Sequence, residues 1–262
     1  MHILVTNDDG VYAPGLKALA DAMKPLGQTT ILAPDRNWSG AGHVKTLHRP
    51  LRVREIVLPD GTEALASDGA PSDCVALALL GRVTDKIDLV VSGINPYGNL
   101  GHDVTYSGTV TAAMEAVIAG VPGIAFSIAA DDTTMEWDYD TAAAYAQNIV
   151  KTAIDNGLMR ALLLSVNIPC LTADQIKGIR ITRQGLRVYR DRLDERIDPR
   201  GRPYYWIGGD YPTGVPDEGT DFGALAEGYV AVTPLQLDLT CYPTAQRLNA
   251  WEWDANPGSD DS

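Results

Sequence analysis

Basic residues are scarce in this sequence, and cysteines are scarcer still. Its 262 residues include 21 Lys and Arg against 34 Asp and Glu, which gives a formal net charge of −13. A protein that binds a nucleic-acid backbone needs a basic face, so this charge argues against a nucleic-acid partner. The three cysteines, Cys74, Cys170 and Cys241, lie far apart without a Cys-x-x-Cys motif, which is typical of a reducing compartment.

Long apolar runs and the common nucleotide-binding motifs are also missing. No run approaches the roughly 18 apolar residues that a membrane span requires, and the first residues, MHILVTNDDG, lack the basic start of a signal peptide. The sequence has no GxGxxG, no GxxxxGKS or GxxxxGKT, and no Cys/His set with zinc spacing. We therefore expect a globular cytoplasmic protein with no membrane partner, no P-loop and no dinucleotide fingerprint.

The first part of the chain alternates short β-branched runs with longer Ala- and Leu-rich stretches, which predicts an α/β fold with a mostly parallel sheet. The predicted strands are residues 3–5, 29–32, 51–55, 89–91, 123–127 and 162–166. The predicted helices are residues 14–24, 71–80, 108–119 and 138–156. The run at 3–5 is apolar at every position, so we expect it to be buried on both faces at the centre of the sheet.

The pattern changes after about residue 180. Residues 183–202 hold seven Arg and four acids and lead into Tyr204, Tyr205 and Trp206, which predicts an extended arm or hairpin that packs on another subunit. A short helix near 221–227 and a strand at 229–233 return the chain to the body. We thus divide the chain into a core (1–180), an arm with its closing segment (181–248) and an acidic tail (249–262) expected to be disordered.

Polar clusters stand where three of the predicted central strands end. They are residues 7–10 after the first strand, 35–40 after the second, and 92–95 with 106–109 after the strand at 89–91. In an open α/β sheet the loops at the carboxyl ends of the strands gather into one crevice. We therefore expect these three clusters to meet.

Asp8 and Asp9 are the candidate catalytic and metal-binding residues. Adjacent carboxylates at a buried strand end repel each other unless a cation lies beside them, and a hard divalent ion relieves that repulsion. Ser39 and Asn95 offer neutral oxygens that complete a set for one Mg²⁺ or Mn²⁺ without adding charge. The alternative is that one Asp caps the next helix and the other is solvated.

The stretch Ser107-Gly108-Thr109 stands directly before a predicted helix and offers a phosphate site. Hydroxyls and unpaired N–H groups at a helix N-terminus attract anions, and Ser39-Gly40 offers a second hydroxyl and amide pair. The alternative for Ser107 or Thr109 is a plain N-cap. Four further side chains in or near these loops have either an assisting or a purely structural role: Arg36, His43, Lys45 and His102.

These clusters in this order resemble the SurE family of stationary-phase survival nucleotidases. The matching stretches are 3–10 (ILVTNDDG), 13–15 (APG), 33–37 (APDRN), 39–40 (SG), 68–74 (DGAPSDC), 89–95 (LVVSGIN), 99–101 (NLG), 103–104 (DV), 106–109 (YSGT), 198–206, 220–222 (TDF), 227–230 (EGYV) and 233–240. The resemblance covers roughly residues 1–240. The chain departs from it at Gly42, where the family commonly has a Ser, so that a phosphate-side hydroxyl is missing. It departs again at Val44-Lys45, and we expect Lys45 to compensate for the missing hydroxyl.

The resemblance implies a three-layer, Rossmann-like nucleotidase that removes phosphate from nucleoside 5′- and 3′-monophosphates, with some activity on short polyphosphate. It implies one divalent metal held by Asp8, Asp9, Ser39 and Asn95. Ser39, Gly40, Asn95, Ser107, Gly108 and Thr109 would contact substrate. It also implies a homodimer or homotetramer with exchanged C-terminal segments, which fits the arm.

The preferred mechanism is in-line attack by a metal-bound water on the phosphoryl group, with attack by an Asp as the alternative. The rival from another class is a non-catalytic phospho-receiver or nucleotide-sensing module. Such a receiver needs a phospho-accepting Asp at the third strand end, where this chain has Ser92 and Asn95. A haloacid-dehalogenase-like phosphatase requires two Asp separated by one residue. The adjacent Asp8 and Asp9 therefore argue against that class of enzyme.

Overall fold

One large sheet forms the centre of the molecule. The structure is a computed structural model that describes residues 1–130 and 136–253. In chain order the strands are β1 (His2–Thr6), β2 (Gln28–Pro34), β3 (Val53–Val57), β4 (Glu63–Ser67), β5 (Leu89–Tyr97), β6 (Gly123–Ala130), β7 (Leu163–Pro169), β8 (Ile179–Ile181), β9 (Arg187–Ile197), β10 (Pro203–Gly214) and β11 (Val230–Pro234). The helices are α1 (Pro14–Met23), α2 (Pro71–Leu77), α3 (Gly108–Ile118), α4 (Tyr139–Asp155), α5 (Asp221–Ala226) and α6 (Tyr242–Leu248).

The sheet is mixed but mostly parallel. Its order is β3-β4-β2-β1-β5-β6-β7-β11-β8. β3 runs antiparallel to β4, and β11 runs antiparallel to β7, whereas the other neighbours are parallel. The predicted α/β class is therefore confirmed.

Two helical layers cover the sheet because its central strands are apolar on both faces. In β1, Ile3 and Val5 pack into the core that α1 and α4 share, and Leu4 packs on the opposite side with residues of α2 and α3. All three side chains are fully buried, as the apolar run at 3–5 predicts. This is the expected three-layer arrangement.

The helices begin where local chemistry favours a start. α1 opens at Pro14, whose fixed φ suits a first helical position, and it buries Leu16, Leu19 and Met23 along one stripe. α3 begins after Ser107, whose side-chain oxygen accepts a hydrogen bond from the N–H of Val110. Because α1 follows β1 and α3 follows β5, both helices start at the carboxyl edge of the sheet, where the polar clusters lie.

Several elements differ from the sequence-based expectation. The exposed strand predicted at 51–55 begins two residues later, as β3, and the helix predicted at 71–80 ends at Leu77 and continues as a π-helical turn over Ala78–Arg82. Strands β4 and β8 and helix α6 were not predicted. β4 has the sequence EALAS, whose Ala and Glu are depleted in strands. Its pairing with β2 and β3 overrides that preference.

The predicted hairpin is present as a separate two-stranded antiparallel sheet. β9 and β10 pair from Ile197↔Pro203 to Arg187↔Gly214, with an irregularity between Asp210 and Thr213. Many large apolar side chains of this hairpin are exposed, as packing on another subunit would require: Leu193, Ile197, Tyr205, Trp206 and Ile207. That use, and the division of the chain into 1–180, 181–248 and 249–262, stay predictions.

The acidic tail lies mostly outside the described residues, which end at position 253. Within the described parts of the chain, no helix is both long enough and apolar enough to cross a membrane.

Replacing Gly15 tests how closely α1 packs on the end of β5. A Cβ at Gly15 would lie 2.1 Å from the carbonyl oxygen of Ile94 and 2.8 Å from Cε1 of Tyr139. We therefore expect Gly15→Ala to lower the free energy of unfolding by about 2 kcal/mol or more, as overpacking does. Urea denaturation measures this. Gly208→Ala is the matched control, since a Cβ there meets nothing within 4 Å, and equal midpoints for the two variants would contradict the expectation.

Candidate active site

The polar clusters meet at one edge of the sheet, at the carboxyl ends of β1, β2 and β5. Asp8 and Asp9 follow β1, residues 35–40 follow β2, and Asn95 lies near the end of β5. β1 is hydrogen-bonded to β2 on one side and to β5 on the other. The acidic pair thus lies between the two other clusters, which is the expected position for a site in an open α/β sheet.

Asp8 is buried against the N-terminus of α3. Its side chain retains 3% exposure, and the Thr109 hydroxyl donates a hydrogen bond to its Oδ1. A Cβ at Gly108 would lie 2.7 Å from the Cβ of Asp8, so only glycine fits there without displacing the carboxylate. The predicted meeting of Asp8 with Gly108 and Thr109 is therefore present.

The loop after β2 is attached to the backbone of the acidic pair. The N–H of Trp38 donates to the carbonyl oxygen of Asp8 at 2.7 Å. Ser39 is exposed, and its own N–H donates to Asn37 Oδ1 at 2.7 Å. Gly40 is exposed with a φ of +76°. Ser39 and Gly40 therefore reach the correct edge, but within the described residues the Ser39 hydroxyl makes no hydrogen bond to either Asp.

Asn95 lies at the opposite side of the acidic pair. It is half-buried, and its Nδ2 donates to the carbonyl oxygen of Tyr97. The preceding residue, Ile94, contacts the start of α1 at Gly15. Asn95 is thus held at the same edge as Asp8 and Asp9. Its side-chain nitrogen is hydrogen-bonded to Tyr97, which leaves the amide oxygen as the atom that could bind a cation.

The surroundings of Asp8 and Asp9 disfavour the charged form of both carboxyl groups. Burial and the neighbouring charge of Asp8 raise the pKa of Asp9 to about 7. Burial likewise raises the pKa of Asp8, against the opposing effect of hydrogen bonds from the hydroxyl and backbone of Thr109. Across residues 1–130 and 136–253 no ion pair involves Asp8 or Asp9, and the sequence outside those ranges contains no Lys, Arg or His.

A divalent cation fits this donor set. The described residues contain no cluster of three or more His, Cys, Asp or Glu that could hold a metal, so a site here needs neutral oxygens beside the two carboxylates. Ser39 and Asn95 carry such oxygens at the same edge. Two carboxylates with hydroxyl, amide and water oxygens are typical ligands of Mg²⁺ and Mn²⁺.

The N-terminus of α3 combines the two roles considered for it. Ser107 is the N-cap, because its Oγ accepts from the N–H of Val110 at 3.1 Å, yet its own hydroxyl hydrogen can still be donated. Thr109 uses its hydroxyl on Asp8. Gly108 occupies the first helical position, where an N–H has no acceptor within the helix. Ser107 and Gly108 are therefore better placed than Thr109 to receive an anion.

Glu115 is a buried acid that the sequence analysis missed. It retains 6% exposure on α3, and its two oxygens pair with His43 Nε2 at 3.0 Å and Lys45 Nζ at 2.7 Å. These pairs anchor the loop that carries His43 and Lys45 to α3. An assisting role for either residue stays a prediction. A single acid within the apolar stretch 110–119 was the available signal.

The same loop has further anchors on the neighbouring helices. The N–H of Gly42 donates to the carbonyl oxygen of Tyr106 at 2.9 Å, and Asp73 of α2 accepts hydrogen bonds from the backbone and hydroxyl of Thr46. Of the other two candidates, His102 is exposed, and the guanidinium of Arg36 lies 4.7 Å from the ring centroid of Trp38.

The sequence analysis also missed three aromatic residues, of which Tyr139 lies close enough to Asp9 to be affected by its charge. The rings of Tyr97 and Trp137 pack edge to face with centroids 5.8 Å apart. Burial, the charge of Asp9 and the proximity of Tyr97 raise the pKa of Tyr139 to about 12. Tyr97 ends β5 and the other two precede or begin α4, so no local pattern in the sequence links them.

Comparisons with known proteins agree on one family. Residues 3–191 match the family model described as "Survival protein SurE". The protein named "5′-nucleotidase SurE" from Herpetosiphon aurantiacus is 51% identical over 254 residues, which cover 97% of this chain and 99% of that protein. The protein of the same name from Chloroflexus aggregans is 51% identical over 255 residues, covering 97% of this chain and 100% of that protein.

A solved structure has the same fold. It is the SurE protein from Aquifex aeolicus, which superposes with a TM-score of 0.80 at 44% sequence identity. The match covers 95% of this chain and 98% of the other.

The raised pKa of Asp9 predicts how stability depends on pH in chelator-treated protein. An unfolded Asp titrates near pH 3.9, whereas Asp9 in the folded protein takes up its proton near pH 7. Its contribution to stability is therefore fully present below about pH 4 and is lost as the pH rises to about 7. Urea denaturation from pH 5 to pH 8 measures this, and Asp9→Asn should flatten the profile. An unchanged slope in that variant would rule out Asp9 as the titrating group.

Glu115→Gln tests the anchorage of the loop that carries His43 and Lys45. The amide keeps the shape of the side chain but loses both charge-assisted pairs, so we expect a loss of about 1 to 3 kcal/mol in the free energy of unfolding. Glu55→Gln is the control, because Glu55 pairs with Arg82 while remaining 81% exposed, and such pairs contribute little. Equal effects of the two substitutions in urea denaturation would argue against the anchorage.

Proposed function

The chain belongs to the SurE family of survival proteins, and from that premise we propose that it is a 5′-nucleotidase. Such an enzyme is a phosphomonoesterase that hydrolyses a nucleoside 5′-monophosphate to nucleoside and phosphate. The observation that supports this most directly is the pair of buried Asp8 and half-buried Asp9, which has no cationic partner among the described residues. Asp8 lies beside the N-terminus of α3. A site of that kind suits a cation and an anionic ester together.

We propose that Asp8 and Asp9, with Ser39 and Asn95, hold one divalent cation, Mg²⁺ or Mn²⁺. When bound, such an ion neutralises phosphate charge and lowers the pKa of a coordinated water toward 7. Thr109 orients Asp8 through its hydroxyl, which keeps one carboxylate oxygen in a fixed position. The raised pKa of Asp9 means that cation and proton compete for this carboxylate below about pH 7.

The phosphate oxygens have donors on both sides of the acidic pair. Ser107 donates its hydroxyl hydrogen and Gly108 its N–H from the start of α3, where the helix dipole favours an anion. On the other side, Ser39 and Gly40 offer a hydroxyl and an exposed backbone. Positioning by these groups, and not a protein nucleophile, is the part of catalysis that the chain supplies.

Hydrolysis of nucleoside 3′-monophosphates and of short polyphosphate belongs to the same proposal, because the donors described recognise a terminal phosphate and not its position on the sugar. We further propose a cytoplasmic homodimer or homotetramer assembled through the β9–β10 hairpin, whose apolar side chains are exposed in the single chain.

The proposal predicts metal-dependent release of phosphate from AMP. We expect the protein to release phosphate with Mn²⁺ and to stop on addition of a chelator. Asp8→Asn and Asp9→Asn should each lower kcat/KM about 100-fold or more, since each removes a charge that holds the cation. A colorimetric phosphate assay measures turnover, and far-ultraviolet circular dichroism checks that the variants fold.

Asp155→Asn is the control, because Asp155 is an exposed acid paired with Lys151 on α4. Near-normal turnover in both Asp8→Asn and Asp9→Asn would refute the metal assignment. Tight binding of AMP with no phosphate release under any metal would instead favour a nucleotide-sensing module.

A further inference from the structure

We infer that Tyr97, supported by Trp137, forms the nucleobase subsite of this enzyme and is a specificity-determining residue. The inference rests on the proposed nucleotidase function, since it assigns the part of the substrate that lies beyond the phosphate. In this arrangement the base of a nucleoside monophosphate stacks on the phenol ring of Tyr97. The phosphate then lies at Asp8, Asp9 and the start of α3.

The position of Tyr97 in β5 places it close along the chain to the proposed phosphate end of the site. It is the last residue of β5 and stands two positions after Asn95, whose Nδ2 donates to the Tyr97 carbonyl oxygen. Two residues of extended chain span about 7 Å. That length leaves room for one ribose between a phosphate held near Asn95 and a ring stacked on Tyr97.

The ring is both accessible and held in place. Tyr97 retains 41% exposure although it ends a central strand. Trp137 packs against it with centroids 5.8 Å apart and ring planes at 84°. An edge-to-face partner fixes a ring without covering all of it, and a ring that is already fixed loses little conformational freedom when a ligand stacks on it.

Tyr139 connects this aromatic pair with the acidic pair. A Cβ at Gly15 would lie 2.8 Å from Cε1 of Tyr139 and 2.1 Å from the carbonyl oxygen of Ile94, the residue before Asn95. Burial, the charge of Asp9 and the proximity of Tyr97 raise the pKa of the Tyr139 phenol. Tyr139 therefore packs beside the stretch of chain that leads through Asn95 to Tyr97. A nucleotide laid along it places its charged end at the carboxylates and its π-face at the exposed phenol.

Trp38 is the other aromatic residue that could stack on the base, since its backbone N–H donates to the carbonyl oxygen of Asp8. Its ring is less available, because the Arg36 guanidinium lies over it at 4.7 Å and its Nε1 is buried. Stacking on an aromatic side chain tolerates every base. We therefore assign Tyr97 a preference for nucleotides over phosphate esters that lack a base, and no preference among bases.

The test compares AMP with ribose 5-phosphate, which has the same phosphate and sugar without the base, using the full-length protein with Mn²⁺. For Tyr97→Ala we expect KM for AMP to rise about 10-fold with kcat nearly unchanged, as expected for a lost stacking contact. Both constants for ribose 5-phosphate should stay as they are. Tyr97→Phe should retain the KM of the parent protein, because it keeps the ring.

Inhibition by adenosine provides a second readout. Adenosine should inhibit hydrolysis of ribose 5-phosphate competitively, and Tyr97→Ala should weaken that inhibition about 10-fold. The control is Tyr242→Ala, which removes an exposed tyrosine from α6 and should change neither substrate.

Three results would overturn the inference while leaving the nucleotidase proposal intact. They are equal effects of Tyr97→Ala on AMP and ribose 5-phosphate, no effect on either, or an AMP-specific rise in KM that appears in Trp38→Ala instead. Failure of the parent protein to hydrolyse either ester would overturn the nucleotidase proposal and this inference with it.

Discussion

Two adjacent carboxyl groups, withdrawn from water at the end of a central strand, are the constraint around which this molecule is arranged. Asp8 is nearly fully buried and Asp9 is half-buried, and the pKa of each is raised. Perturbed carboxyl pKa values of this kind cluster at functional sites. The cation that we propose at this pair would remove the repulsion between the two carboxylates.

The surrounding backbone is built to approach these carboxylates closely. A side chain at Gly108 would collide with Asp8, and one at Gly15 would collide with the carbonyl oxygen of Ile94, next to Asn95. Gly10 has a φ of +106° and lies against the backbone of Arg36, which joins the loops after β1 and β2. The close packing of these loops thus depends on glycine at each junction.

Local patterns predict much of this molecule, and contacts between distant segments account for what they miss. The apolar runs at 3–5 and 89–91 predicted strands whose carboxyl ends lie at one edge, and this sufficed to place Asp8, Asn95 and Ser107 there. β4 was missed because its composition does not favour a strand. The pairing of Glu115 with His43 and Lys45, and of Tyr97 with Trp137, joins residues 40 to 72 positions apart, and no periodicity in one sequence encodes such partners.

The net negative charge of the chain makes a local positive charge necessary for binding a phosphate ester. A protein with a net charge of −13 repels a phosphate ester at long range, so its site requires a local positive charge. The basic side chains of the loop after β2 are engaged elsewhere: Lys45 pairs with Glu115, and Arg36 lies over Trp38 and beside Asp35. The N-terminus of α3 contributes only partial charge, part of which Asp8 already uses through Thr109. The divalent ion that we propose at Asp8 and Asp9 would supply the missing positive charge, and it would account for two carboxylates at the place where we propose that a phosphate ester binds.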